Sequence, residues 1–199
     1  MAKRLSAAQR RAQLIEVGRG VFAEHGFEGT SVEEIARVAG VSKPIVYEHF
    51  GGKEGLYAVI VDREMDGLVR RVAGSIDTGS PRARFERAVV AFLTFAEERP
   101  DGFTVLVRDA PRSGGGMTSV ISDLAERIRD IFDHQFGQLG LDPAVSPVVA
   151  HALIGMVTQA GQYWAANPEL PKEDVARWVA AIGWMGLRHL PMDPELADP

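Results

Sequence analysis

The residues best equipped for chemistry lie in one short run, Ser42-Lys43-Pro44-Ile45-Val46-Tyr47-Glu48-His49-Phe50. Sorted at roughly 100° per residue, as on a helix, they separate into faces. Val46 and Phe50 fall together as the inner side. Pro44, Ile45 and Glu48 point away from them, and Tyr47 and His49 occupy the flanks. Ser42 and Lys43 stand at the N-terminal end, where free backbone N–H groups favour a phosphate. This layout suits insertion into a DNA major groove, with the flanks on the backbone and the far face over base edges. Ile45 has no hydrogen bond to offer, so it reads a thymine methyl or simply packs. Glu48 repels phosphate but can accept from a cytosine amino group.

Other chemistries find less support. Asp130, Asp133 and His134 are close together on one helical stretch and suggest a metal, but there is no HExxH arrangement, and a solvated charged face is the simpler reading. Neither G-x-S-x-G nor a Walker A lysine loop occurs. Gly18-Arg19-Gly20-Val21-Phe22-Ala23 matches a loose dinucleotide fingerprint, yet no strand precedes it and the helical period runs straight through. There are no cysteines, which removes disulfides, thiolate ligands and cysteine nucleophiles together. No catalysis, metal or cofactor is expected.

The elements that must carry the run are legible around it. Ser31 caps a helix and Glu34 completes a capping box. Val32, Ile35, Ala36 and Ala39 follow at one-face spacing, and Gly40 is where a left-handed residue should close the helix. Ser42 caps the next helix, with Pro44 in its first turn. The result is a helix-turn-helix over about 31–50. Ahead of it, Ser6 and Gln9 form a second capping box, opening a helix to about His25 whose inner face is Leu14, Val17, Gly18, Val21 and Phe22. Its two glycines should each weaken it by about 1 kcal/mol relative to alanine. After a short break at Gly51-Gly52, a long helix runs to about Ile76. Further helices are expected over about 82–99, 100–110, 118–139, 145–166 and 172–190. The fold class is all-α, with about nine helices and no alternating strand.

Composition narrows the class further. With 46% hydrophobic residues in 199, a sizeable core is available. No apolar run approaches the ~18 residues of a membrane span. The basic N-terminus lacks the apolar segment of a signal peptide, so a cytoplasmic location is expected. The net charge of -5 is unevenly placed. Residues 1–53 hold eight Lys/Arg against six Asp/Glu, and the remainder hold fourteen against twenty-one. A cationic head on an acidic body fits an electrostatic footprint confined to the first quarter.

The segment from Leu14 to Leu56 carries Phe22-Ala23-Glu24, Gly26-Phe27, Gly29-Thr30-Ser31, Ile35-Ala36, Ala39-Gly40-Val41-Ser42, Tyr47, His49-Phe50 and Lys53-Glu54, in that order. It closely resembles the N-terminal DNA-binding domain of the tetracycline-repressor (TetR) family of bacterial transcriptional regulators. The likeness implies a DNA-binding domain over 8–68 and a ligand-binding and dimerisation domain over 69–190; the acidic, proline-broken stretch 191–199 reads as a loose tail. It places Thr30, Ser42, Tyr47, His49 and Lys53 at phosphates, and Lys43, Pro44 and Ile45 at or near base edges. The family often has glycine, then threonine or serine, where Pro44 and Ile45 stand. Gly52 also replaces the usual polar cap of the long helix, a loss of a few tenths of a kcal/mol.

The likeness further implies a homodimer on a pseudo-palindromic double-stranded operator, released by a small lipophilic effector. Phe92, Phe103, Val107, Ile121, Phe136 and Met156 would line the effector's cavity, with Arg108, Gln159 and Tyr163 as its polar groups. The competing reading of these side chains is plain core. The last two helices carry Leu153, Met156, Trp164, Val179, Ile182, Met185 and Leu190, with Gly155, Gly161, Gly183 and Gly186 among them. Such a pair would join its copy in a four-helix interface. The other candidate functions are a helical adaptor acting through proteins and a metal-dependent all-α protein, both without DNA binding.

Overall fold

The computed structural model describes residues 5–76, 78–108 and 144–189. Every regular element among them is an α-helix: α1 Ala7–Gly29, α2 Val32–Ala39, α3 Lys43–Phe50, α4 Lys53–Ser75, α5 Pro81–Glu98, α6 Pro100–Arg108, α7 Ser146–Ala166 and α8 Lys172–Arg188. These are eight of the nine expected helices. The ninth, with Ile121, Asp130, Asp133, His134 and Phe136, lies outside the described residues, as do Leu190 and the tail.

The chain divides into two compact units, Met1–Gly67 with Arg99–Met117, and Leu68–Glu98 with Thr118–Pro199. The division falls inside α4. α6 clusters with the first unit, and packing explains why. Tyr57 on α4 donates its hydroxyl to the Val105 carbonyl at 3.3 Å. Val105 itself is buried in the first unit's core with Leu14, Phe22, Ile35, Val46, Leu56 and Ile60.

In the first unit the Ser6 hydroxyl accepts from the Gln9 amide at 3.2 Å, and the Ser6 amide donates to the Gln9 side chain at 2.9 Å. Gly26, at φ 73°, breaks α1 near the expected end, and a final turn continues to Gly29. Gly18 has a packing reason. A Cβ there would come within 2.8 Å of Leu56 Cδ2 and 3.1 Å of Ile60 Cδ1, so its absence lets α1 close onto α4.

Glu64 on α4 is 2% exposed, and its carboxylate sits in the stripe Ile60-Glu64-Leu68 that otherwise faces the core. Arg99 reaches it through Nε at 2.8 Å and Nη2 at 2.7 Å, and Arg19 of α1 through Nη1 at 3.2 Å. The bonds to Glu64 raise the Arg99 pKa above its ordinary value. A buried carboxylate is tolerable only with this kind of pairing. Gly102 lies directly against the same carboxylate, so any side chain there would collide with it.

In the second unit α5 packs on α7 and α8. A Cβ on Gly161 would meet the Phe92 ring at 2.6 Å, and one on Gly183 the Phe85 ring at 2.6 Å and Met156 Cε at 2.9 Å. Two of the four glycines expected at a dimer seam are therefore spent within one chain, where they seat α5 aromatics.

Candidate nucleic-acid interface

The helix-turn-helix forms over the expected residues, although Glu34 does not return the capping bond and Ser42 caps α3 without a side-chain bond. The Ser31 hydroxyl accepts from the Glu34 amide at 3.2 Å. Gly40 takes the left-handed conformation, φ 66° and ψ 37°, that closes α2. Val46 is completely buried. Phe50 and Ile45 are half-buried against the same core.

What remains outward on α3 is Lys43, Pro44, Tyr47 and Glu48, with Ser42 at the N-cap and His49 half-buried at one flank. Tyr47 is 53% exposed. Ser42 makes no side-chain capping bond. Together these residues present a cation, a proline ring, a phenol, a hydroxyl and one carboxylate acceptor on a single short convex face.

Side chains from the flanking helices hold that face in place. Arg11 of α1 donates to the His49 carbonyl at 2.6 Å and lies 4.3 Å above the Phe50 ring. Gln13, two residues on, donates to the Ala39 carbonyl at 3.1 Å. The first turns of α1 thus supply donors to the carbonyl ends of both α2 and α3, whose last carbonyls lack intrahelical partners. Gly55 lets α4 press against the Phe50 carbonyl, where any side chain would clash with backbone.

Two residues assigned to phosphates turn inward instead. Thr30 is buried, and its hydroxyl donates to the Gly26 carbonyl at 2.6 Å. It ties down the break that Gly26 makes in α1. Lys53 donates to the Phe27 carbonyl at 3.0 Å and sits 4.3 Å over the Phe27 ring. Lys43, on the outward face, is paired with Glu33 of α2, and the ammonium holds the Glu33 carboxyl below its ordinary value.

The positions assigned to an effector separate. Phe103, Val107 and Arg108 belong to the first unit. Phe103 and Val107 are buried there, while Arg108 is exposed and donates to the Ala23 carbonyl at 3.2 Å. Phe92 is buried in the second unit and Met156 is half-buried. Gln159 and Tyr163 lie on an exposed stripe of α7, with Tyr163 72% exposed. Ile121 and Phe136 lie outside the described residues. No helix among the described residues is long and apolar enough to cross a membrane. No group of three or more acidic or histidine side chains among them could hold a metal.

Several supporting residues are not found by periodicity. Arg11 lies in register with the inner stripe of α1, three residues before Leu14, and Gln13 on a flank, but spacing alone does not show that either reaches the carbonyl end of another helix. Glu64 did carry a signal, since a carboxylate four residues from both Ile60 and Leu68 on an inward stripe demands a buried cation.

A helix-turn-helix carried on α1 and α4, with a second helical unit following, defines a DNA-binding transcriptional regulator. Residues 14–60 match the family of bacterial regulatory proteins of the tetR type, and residues 81–186, just over half of the chain, match the tetracyclin repressor-like C-terminal domain. The chain belongs to the TetR family. It is 29% identical over 192 residues to the HTH-type transcriptional activator FasR of Mycolicibacterium smegmatis, covering 95% of this chain and 88% of that one. A TetR-like transcriptional regulator from Rhodococcus sp. RHA1 has a similar structure, with a TM-score of 0.77, 28% identity, and coverage of 94% of this chain and all of that one. AibR, crystallised with isovaleryl coenzyme A and operator DNA, shares the fold at a TM-score of 0.70 and 22% identity, over 87% of this chain and 97% of its own.

Proposed function

We propose that this regulator acts as a homodimeric repressor whose two α3 helices occupy successive major grooves of a pseudo-palindromic operator. The observation that carries the reading is the outward face of α3, where Lys43, Pro44, Tyr47 and Glu48 stand exposed on a helix that Val46, Phe50 and Arg11 fix from behind. Pro44 and Glu48 are assigned to base edges. Ser42, Tyr47 and His49 are assigned to the backbone, with Lys43 between the two. Half-sites should then lie about one turn, 34–36 Å, apart. Repression needs only occupancy of the site, which is why it is preferred here although FasR is named an activator.

Dimerisation is assigned to α7 and α8, now on a narrower set of residues. Trp178, Ile182 and Met185 form one exposed stripe on α8, with Tyr163 and Val148 exposed on α7. Leu153, Trp164 and Val179 are buried within the chain and take no part. An apolar stripe of this size normally marks an interaction surface.

The effector is proposed to be a small lipophilic molecule, with Phe92 and Met156 the retained cavity residues. The ligand in the AibR crystal makes an acyl thioester the first class to test. It acts only so far as it binds the DNA-competent and released shapes differently; a tenfold loss of operator affinity needs about 1.4 kcal/mol of difference. The reading implies a cytoplasmic protein without catalysis of its own.

In vitro selection from random duplexes with the full-length protein tests the core of this. Enrichment of a two-fold symmetric site supports it. Failure to enrich any sequence at low salt overturns it.

A further inference from the structure

Glu48 is an exposed carboxylate on the outward face of α3, one turn after Pro44 and opposite the buried Val46. Its place breaks two local rules. It lies in the last turn of α3, where the helix dipole favours a cation. It also belongs to a face that has to approach a polyanion. Among the described residues, the cations on and beside α3 are directed elsewhere: Arg11 to the His49 carbonyl, Lys53 to the Phe27 carbonyl, and Lys43 to Glu33. The carboxylate therefore reaches the DNA face as a bare acceptor.

Repulsion from phosphates is the same on every duplex and carries no sequence information. The base edges differ. In the major groove guanine shows the acceptors N7 and O6, thymine shows O4, and adenine shows its N6 donor beside the N7 acceptor. Cytosine shows the N4 amino group and no acceptor on its own edge. A carboxylate held over these edges is thus compensated by one base, partly by a second, and repelled by the other two. That dependence arises only in the bound state, so it separates one sequence from another.

Resting on the DNA-binding reading above, we propose that Glu48 is a specificity-determining residue that fixes one cytosine in each half-site by accepting from its N4 amino group.

The test is parallel in vitro selection with the full-length wild type, Glu48→Gln and Glu48→Ala. The wild type should enrich cytosine at one position of each half-site. Glu48→Gln should shift that position toward adenine, because a glutamine amide bonds N6 and N7 together. Glu48→Ala should lose the preference there and keep the rest of the site. In competition on the wild-type site, replacing that C·G pair by T·A should weaken the wild type of order tenfold, and Glu48→Ala by less than about twofold. N4-methylcytosine at the same position keeps the base pair but turns a methyl group into the major groove. It should cost the wild type severalfold and leave Glu48→Ala unchanged.

Identical base preferences for all three proteins, or a Glu48-dependent position that is not cytosine, would overturn the proposal. So would a uniform gain in affinity on every duplex, which would show relief of repulsion alone. If the wild type selects no site, the DNA-binding reading itself fails and takes this one with it. If it selects a symmetric site that replacing Glu48 leaves unaltered, only the role of Glu48 is lost. Circular dichroism of each variant checks that the helices remain folded.

Discussion

Replacing Glu64 by glutamine probes the interaction that joins α1, α4 and Arg99, the residue just before α6, in the first unit. The side chain keeps its shape and one acceptor but loses the charge that Arg19 and Arg99 share. Removing one partner of a buried ion pair costs about 3–5 kcal/mol, because a charge is left buried without compensation. Here the arginines left behind are not fully enclosed: the Arg19 side chain is 19% exposed and that of Arg99 45%, so water recovers part of the loss. We therefore expect about 2–3 kcal/mol. For a unit of this size that lowers the urea midpoint by about 1–2 M. The three tryptophans, Trp164, Trp178 and Trp184, are all in the second unit, so far-UV circular dichroism must report the first. Arg99→Ala, which breaks two bonds at 2.7 and 2.8 Å, should cost more than Arg19→Ala, which breaks one to Glu64 at 3.2 Å. A Glu64→Gln variant within about 0.5 kcal/mol of wild type would show that the carboxylate is solvated in solution and would refute the ion-pair account.

Other substitutions test the remaining packing and interface claims. Gly18→Ala gains up to about 1 kcal/mol of helix propensity but drives a methyl into Leu56 and Ile60, so a net loss of about 1 kcal/mol is expected by urea denaturation. Arg11→Ala removes the bond to the His49 carbonyl and the stack on Phe50; it should cost about 1–2 kcal/mol, with faster amide exchange at the end of α3. Ile182→Asp should convert a dimer to a monomer in sedimentation while the second unit keeps its helical circular dichroism, since Ile182 is 61% exposed in the single chain. An unchanged dimer would remove the proposed interface.

Much of the head was legible in sequence because its signals are local. The capping box at Ser6, the Ser31 cap, and closing glycines at 26 and 40 act through neighbouring backbone and need no knowledge of the rest of the fold. The side of α3 that turns inward followed from the helical repeat. What local signals did not show is where a side chain finds a partner outside its own helix. Thr30 and Lys53 look like surface donors until Gly26 and Phe27 fold back to receive them. Gly161 and Gly183 look like contacts between subunits, because nothing local shows that Phe92 and Phe85 fill those spaces. Tyr163 and Gln159 fit the helical spacing of an interior equally well, and only the assembled second unit places them outside.

The central claim is that α3 lies in the major groove, and the absence of cysteine from the sequence permits a direct measurement. A single thiol introduced by Glu48→Cys, coupled to an iron chelate, should cleave the selected operator in two clusters about one helical turn apart, centred on the major groove. The same chelate on Glu97→Cys, exposed on α5 of the second unit, should leave those positions uncut. Cleavage from the Glu97→Cys protein with none from the Glu48→Cys protein, while both still bind the duplex, would mean that another surface meets the DNA.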